Sequence, residues 1–152
     1  MRIIIGADHR GAAAAKAIRA VLIDRGIDTV LAGAGDDAMC DYPELAYEVG
    51  AEVADGRADA GILICGTGIG MSIAANKVKG VRAAVVHDEL TAQLSKTHNS
   101  ANVLCLSGDL LGQALMERIV DAWLRAEFEG GRHERRVKKI DAIERGEDPR
   151  RS

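Results

Sequence analysis

Two hydrophobic rhythms alternate along the chain. Short aliphatic or β-branched runs (Ile3–Ile5, Ile27–Leu31, Gly61–Ile64, Val81–Val86 and Asn102–Leu106) are too brief for helices and read as strands buried on both faces. Between them, apolar residues recur three and four positions apart. Ala12–Arg25 carries Ile18, Val21 and Leu22 on one stripe, and Leu110–Phe128 repeats Leu111, Leu115, Ile119 and Trp123 at every fourth position. A helix opening at Asp41-Tyr42-Pro43 has proline in its first turn and runs to Asp55, with Gly56 as its stop. Further helices are predicted after the glycine run at 66–70, over Glu89–Thr97 and over Arg132–Glu144. Ala32–Met39 reads as a loop, His98-Asn99 as a polar corner, and the tail from about Gly146 as frayed. Five strand–helix alternations predict an α/β protein: a single-domain three-layer α/β/α sandwich over residues 1–152, with a five-stranded parallel, Rossmann-like sheet.

Composition narrows the picture. At 152 residues the chain is long enough for one well-buried core, and with four aromatic residues that core must be mainly aliphatic. The net charge of −3 gives no global drive toward nucleic acid or an anionic membrane, although residues 132–152 hold eight Lys/Arg against five Asp/Glu. No stretch approaches transmembrane length, and the opening Met1–Gly6 is too short for a signal peptide's apolar region. Three cysteines, Cys40, Cys65 and Cys105, are odd in number and lack metal-type pairing, which points to a reduced cytoplasmic setting.

Ligands of parallel sheets bind beyond the carboxyl ends of the strands. The chemistry-bearing residues cluster at three such ends: Asp8-His9, Cys65 with Gly66-Thr67-Gly68-Ile69-Gly70, and His87-Asp88. The glycine run lets backbone N–H groups face an anion at a helix start. Its G-x-G-x-G spacing puts Met71 where a dinucleotide fingerprint needs glycine, and no Gly-Lys-Ser/Thr follows for a nucleotide P-loop. Asp88, twenty residues after Gly68, is therefore a decoy for a ribose-binding acid. Cys65 is either a small buried hydrophobe or a thiol activated at a strand end beside a helix start, and its position favours the second. His98 is either a surface histidine or an acid working near neutral pH. To join the same site it needs its helix to return there, or a second subunit. Arg132 and Arg136 share a helix face at i, i+4, as a solvated basic helix or as a phosphate clamp. The four histidines lack metal-ligand spacing, so neither a metal nor another cofactor is expected.

Taken together, Gly6-Ala7-Asp8-His9-Arg10-Gly11, Asp41-Tyr42-Pro43, Gly61–Gly70, Ala74-Ala75-Asn76-Lys77, Gln93–Asn99, Val120–Leu124 and Glu129–His133 resemble the ribose-5-phosphate isomerase B family, which includes galactose- and allose-6-phosphate isomerases. The resemblance implies the strand order 2-1-3-5-4 and a homodimer, sometimes paired further, with active sites at the interface. It also implies metal-free interconversion of ribose 5-phosphate and ribulose 5-phosphate. Carried onto this chain, it makes Cys65 the base and His98 the ring-opening acid, with Thr67 also catalytic. Asp8, His9, Tyr42, Gly66, Gly68, Ile69, Gly70 and Asn99 would bind the sugar, while His9, Arg132, His133 and Arg136 would hold the phosphate. One departure stands out: Asp109 occupies a position where the family often has an arginine. Two rivals remain open, a six-carbon sugar-phosphate isomerase and a non-enzymatic nucleotide or phosphate sensor.

Overall fold

The computed structural model describes residues 1–33 and 40–151. Most of the loop expected over 32–39 lies outside those residues. The elements are β1 (Arg2–Ala7), α1 (Ala12–Asp24), β2 (Asp28–Leu31), α2 (Tyr42–Ala54), β3 (Ala60–Cys65), α3 (Ile69–Ala75), β4 (Ala83–Val85), α4 (Glu89–Asn99), β5 (Val103–Ser107), α5 (Gln113–Arg125) and α6 (Arg132–Glu144). The strands form one sheet, ordered β2-β1-β3-β5-β4, with every pairing parallel. Both the α/β class and the strand order therefore match expectation.

The two-residue period of a strand divides the core. Ile3, Ile5, Ile62, Ile64, Leu104 and Leu106 face α1, α4 and α5, where Trp123 is fully buried. Ile4, Leu63, Cys65, Val103 and Cys105 face α2 and α3, meeting Leu45, Val49 and Met71. Each buried aliphatic side chain contributes about 1.5–3 kcal/mol, so β3, buried along its whole length, is the axis of the molecule. Two glycines set how closely α2 lies on the sheet. A Cβ at Gly61 would stand 2.6 Å from the Val49 side chain, and one at Gly6 would stand 2.8 Å from it.

The exposed edge of β4 is covered by a side chain. Asn76 Nδ2 donates to the Ala83 carbonyl at 2.8 Å, and its Oδ1 accepts from the Ala83 N–H at 2.9 Å. The amide thus stands in for a sixth strand at an edge that would otherwise be open.

Several strand ends shift by a residue or two, and three further differences from the periodic reading have a physical reason or bear on the site. β4 is three residues long instead of Val81–Val86. α5 runs from Gln113 to Arg125 instead of Leu110–Phe128. Ser107 Oγ accepts from the Leu110 N–H at 3.0 Å and holds residues 108–111 in a turn, and Ala126 is already extended, with ψ 141°. Leu111 thus belongs to the turn, although it is buried in the same core. Finally, His98 and Asn99 are the last turn of α4 and not a corner; the chain turns one residue later, at Ser100, which adopts the left-handed φ of 50°. After Gly146 the tail has no regular element, and the Lys139 ammonium donates to the Pro149 carbonyl. No helix among the described residues is long and apolar enough to cross a membrane.

Candidate active site

β3 delivers Cys65 to the carboxyl edge of the sheet, and the chain then reverses into α3 through Gly66–Gly68. Gly68 makes that turn with φ 77°, a conformation that side chains resist, and a Cβ there would also come within 3.0 Å of the Leu106 carbonyl. The turn points the Gly68 N–H at the Cys65 sulfur, 3.2 Å away. Thr67 Oγ1 accepts from the Ile69 N–H at 3.3 Å, leaving the hydroxyl proton free for another acceptor. The first N–H groups of a helix lack intrahelical carbonyls, and here two of them find side chains instead, Gly68 the Cys65 sulfur and Ile69 the Thr67 hydroxyl oxygen.

Around this turn lies an open basin of about 460 Å³, lined by Asp8, Arg10, Tyr42, Cys65, Gly66, Thr67, Ile69, Gly70 and Asp109. Seven of these are sequence-predicted site residues that the fold brings together. Tyr42, in the first turn of α2, lays its ring against Gly70, where a Cβ would stand 2.7 Å from two ring carbons. Asp8 is buried, and its Oδ1 accepts from the Arg10 and Gly11 N–H groups at 2.9 and 3.1 Å, which fixes the loop after β1. His9 sits exposed on that loop, outside the basin lining. Cys105 lies on the same face of the sheet, and burial pushes its thiol well above the usual range, so it stays a protonated core residue.

Sequence reasoning quoted Arg10 within a motif but gave it no role. In the structure it answers the Asp109 question. Arg10 Nε donates to Asp109 Oδ1 at 3.1 Å, and Nη2 lies 2.6 Å from Oδ2. The carboxylate holds the guanidinium above its ordinary value, through the hydrogen bond first and charge second. What looked like a repulsive acid is half of an ion pair. The clue in the sequence was a cation, Arg10, in the loop after one strand and an acid, Asp109, in the loop after another.

Of the remaining predicted residues, Gly68 and His9 stay near the Cys65 turn, whereas His98, Arg132, His133 and Arg136 form a second cluster. Cys65 registers with Ser107, the last residue of β5, whereas His98 and Asn99 end the helix that leads into the first residue of that strand. Within one chain the two groups therefore stand at opposite ends of the sheet, about 13 Å apart along the strand direction alone. Asn99 lines a separate cavity of about 440 Å³ with Asn76, Arg82 and residues of α6. His98 stacks on buried His133, with ring centroids 4.0 Å apart and planes within 6°. His133 Nε2 accepts from Arg132 Nε at 3.2 Å and lies 3.6 Å from Glu129 Oε2. Burial first, then the neighbouring His98 and Arg132, lower the His133 pKa.

The ligating atoms of His98, Glu129 and His133 lie within 4.8 Å of one another, a grouping that the linear spacing did not reveal. His133 Nε2 is nevertheless engaged by the Arg132 guanidinium, and Arg136 adds a second cation on the same helix. That setting suits an anion. The Asp88 decoy is explained as well: it caps α4, accepting from the Thr91 N–H at 2.7 Å.

Comparison with known proteins places these features. The ribose/galactose isomerase family model matches residues 3–140. Ribose-5-phosphate isomerase B of Escherichia coli (strain K12) is 48% identical over 143 residues, covering 94% of this chain and 96% of that protein. The structure of ribose-5-phosphate isomerase B from Clostridium thermocellum superposes with a TM-score of 0.94 at 46% identity, covering 96% of this chain and 99% of that one. The Mycoplasma genitalium enzyme, solved with bound ribulose-5-phosphate, gives 0.91 at 46% identity, over 95% of this chain and 96% of that one. The chain therefore belongs to the ribose/galactose isomerase family, in its ribose-5-phosphate isomerase B group, and is an isomerase of the intramolecular oxidoreductase kind.

Proposed function

We propose that the protein interconverts ribose 5-phosphate and ribulose 5-phosphate through an enediolate, at a site shared between two copies of the chain. The observation that carries this reading is the Cys65 thiol lining an open basin at a glycine turn, with the Gly68 N–H 3.2 Å from its sulfur. A proton α to a carbonyl is weakly acidic, and its removal leaves negative charge on oxygen. Preorganised donors facing that oxygen lower the barrier by several kcal/mol. The Cys65 thiolate takes the proton from C2 of the open aldose and returns it to C1, so one base serves both halves of the reaction. The N–H of Gly68 makes a charge-assisted bond to the sulfur whenever the thiolate forms. Thr67 donates its hydroxyl proton to a substrate oxygen, and the glycine turn with Ile69 cradles the reacting end. Asp8 and Tyr42 line the sugar.

His98 cannot reach its own chain's Cys65, so in this reading a second copy supplies it as the acid that protonates the ring oxygen on opening. Asn99, Arg132, His133 and Arg136 travel with it, and His9 projects from the near side toward the phosphate. An apolar ridge beside the glycine turn fits such pairing. Ile69 and Ile73 of α3 are 53% and 59% exposed at i, i+4 spacing and offer an apolar face to a second copy. The assembly is a homodimer, with further pairing into a tetramer consistent with the resemblance. A cytoplasmic setting follows from the reduced thiol that the chemistry needs.

The decisive experiment is Cys65→Ala. Turnover of ribose 5-phosphate should fall at least about a hundredfold with fold and oligomer unchanged. Near-normal turnover would remove Cys65 from its role. A panel of aldose phosphates assayed for ketose formation separates this substrate from six-carbon alternatives.

A further inference from the structure

The basin around Cys65 is lined by two carboxylates, Asp8 and Asp109, and by one cation, Arg10. With two carboxylates against one guanidinium the lining is net negative, so a dianionic phosphate entering it is best placed in direct contact with that guanidinium. Arginine carries five N–H donors in a rigid fork. Here one edge of the fork, Nε and Nη2, is taken by the two oxygens of Asp109. The opposite edge points away from that carboxylate, and 56% of the side chain is exposed.

The pair itself is fixed by backbone. Asp109 N–H donates to the Gly66 carbonyl at 3.1 Å, and the Arg10 N–H donates to Asp8 Oδ1. Gly66 leaves room for both side chains: a Cβ there would meet Asp109 Oδ2 at 2.9 Å and Arg10 Nε at 3.1 Å. Gly108 does the same for the loop, since its Cβ would press on the Arg10 carbonyl at 2.8 Å. The ion pair thus lies directly over the residue that follows Cys65, on a seat made of two glycines.

We propose that Arg10 contacts the phosphate of the sugar with the free edge of its guanidinium, and that Asp109 is the positioning residue that aims this edge into the basin. The inference rests on the sugar-phosphate isomerase reading above. It turns the acid at position 109 from a liability into the reason a mobile arginine holds one orientation.

Arg10→Gln, Asp109→Asn and the double variant separate this role from simple charge cancellation. Each is assayed for KM and kcat on ribose 5-phosphate, and for binding of inorganic phosphate by calorimetry, with melting temperature as the folding control. Arg10→Gln should raise KM about tenfold or more and weaken phosphate binding by a similar factor, with kcat within about threefold. Asp109→Asn should raise KM less, because the guanidinium remains but loses its aim. The double variant should stay about as impaired as Arg10→Gln. A double variant with wild-type KM and phosphate affinity would mean that Arg10 merely neutralises Asp109, and would overturn the proposal. Unchanged constants in Arg10→Gln, or a wild-type protein that binds no phosphate, would overturn it equally. Failure of the wild-type protein to turn over any pentose phosphate would count against the substrate reading alone, since phosphate calorimetry still reads Arg10.

Discussion

His133 has the most unusual electrostatic position of any single residue in the second cluster. It is buried, stacked on His98, takes a hydrogen bond from Arg132 and has Arg136 one turn away, with Glu129 as its sole acidic neighbour in that set. Its lowered pKa means that the folded protein keeps the ring neutral where an unfolded chain would already take up a proton. The unfolded state therefore binds more protons just below the ordinary histidine value of 6.5, and stability rises with pH through that window. Stability should be full above 6.5 and decline as pH falls toward the lowered folded value. Thermal melts of wild type and His133→Asn between pH 7.5 and 5 check this, because the variant should show the shallower slope. Equal slopes would show that His133 titrates as it does in an unfolded chain.

At the scale of elements, the two ends of the proposed site are carried by different secondary structure. The turn from β3 to α3 holds the reacting end, whereas α6 holds the arginines. Substitution of Arg132 or Arg136 with alanine should therefore raise KM for sugar phosphates about tenfold and leave kcat much closer to wild type. Steady-state kinetics on both variants decide it, and an unchanged KM in both would dissolve the clamp. The β3–turn–α3 unit was the most legible part of the sequence, because an apolar run ending in cysteine and spaced glycines leaves few alternatives. The ends of α5 were not legible. Leu110 and Leu111 continue the hydrophobic period, but Ser107 Oγ takes the Leu110 N–H and holds a turn that the period cannot report. The meeting of His98 with Glu129 and His133 was hidden too. It depends on α4 and α6 packing across some thirty residues of intervening chain, and no local pattern records that distance.

For the whole molecule, the proposed mechanism together with the separation of Cys65 from His98 makes catalysis a property of the assembly. Light scattering should find a dimer or a multiple of it. A sharper check mixes two inactive variants, Cys65→Ala and His98→Asn, under conditions that let subunits exchange. A site built from two chains regains activity on mixing, to about a quarter of wild type at equal proportions, since half of the dimers carry one intact site of two. No recovery despite demonstrated exchange would place both residues' roles within one chain, against the geometry.

The seat of α2 on Gly6 and Gly61 carries one more implication. Val49 rests on those glycines at mid-helix, while the same helix begins with the tyrosine that overhangs Gly70, and Gly61 shares its strand with the thiol. A methyl group added at Gly61 would push on Val49 and so on α2, whose first residue, Tyr42, lines the basin that Cys65 also lines. At the proposed site, the clearance available to a substrate is thus gauged in the interior of the protein, at a point away from the basin itself.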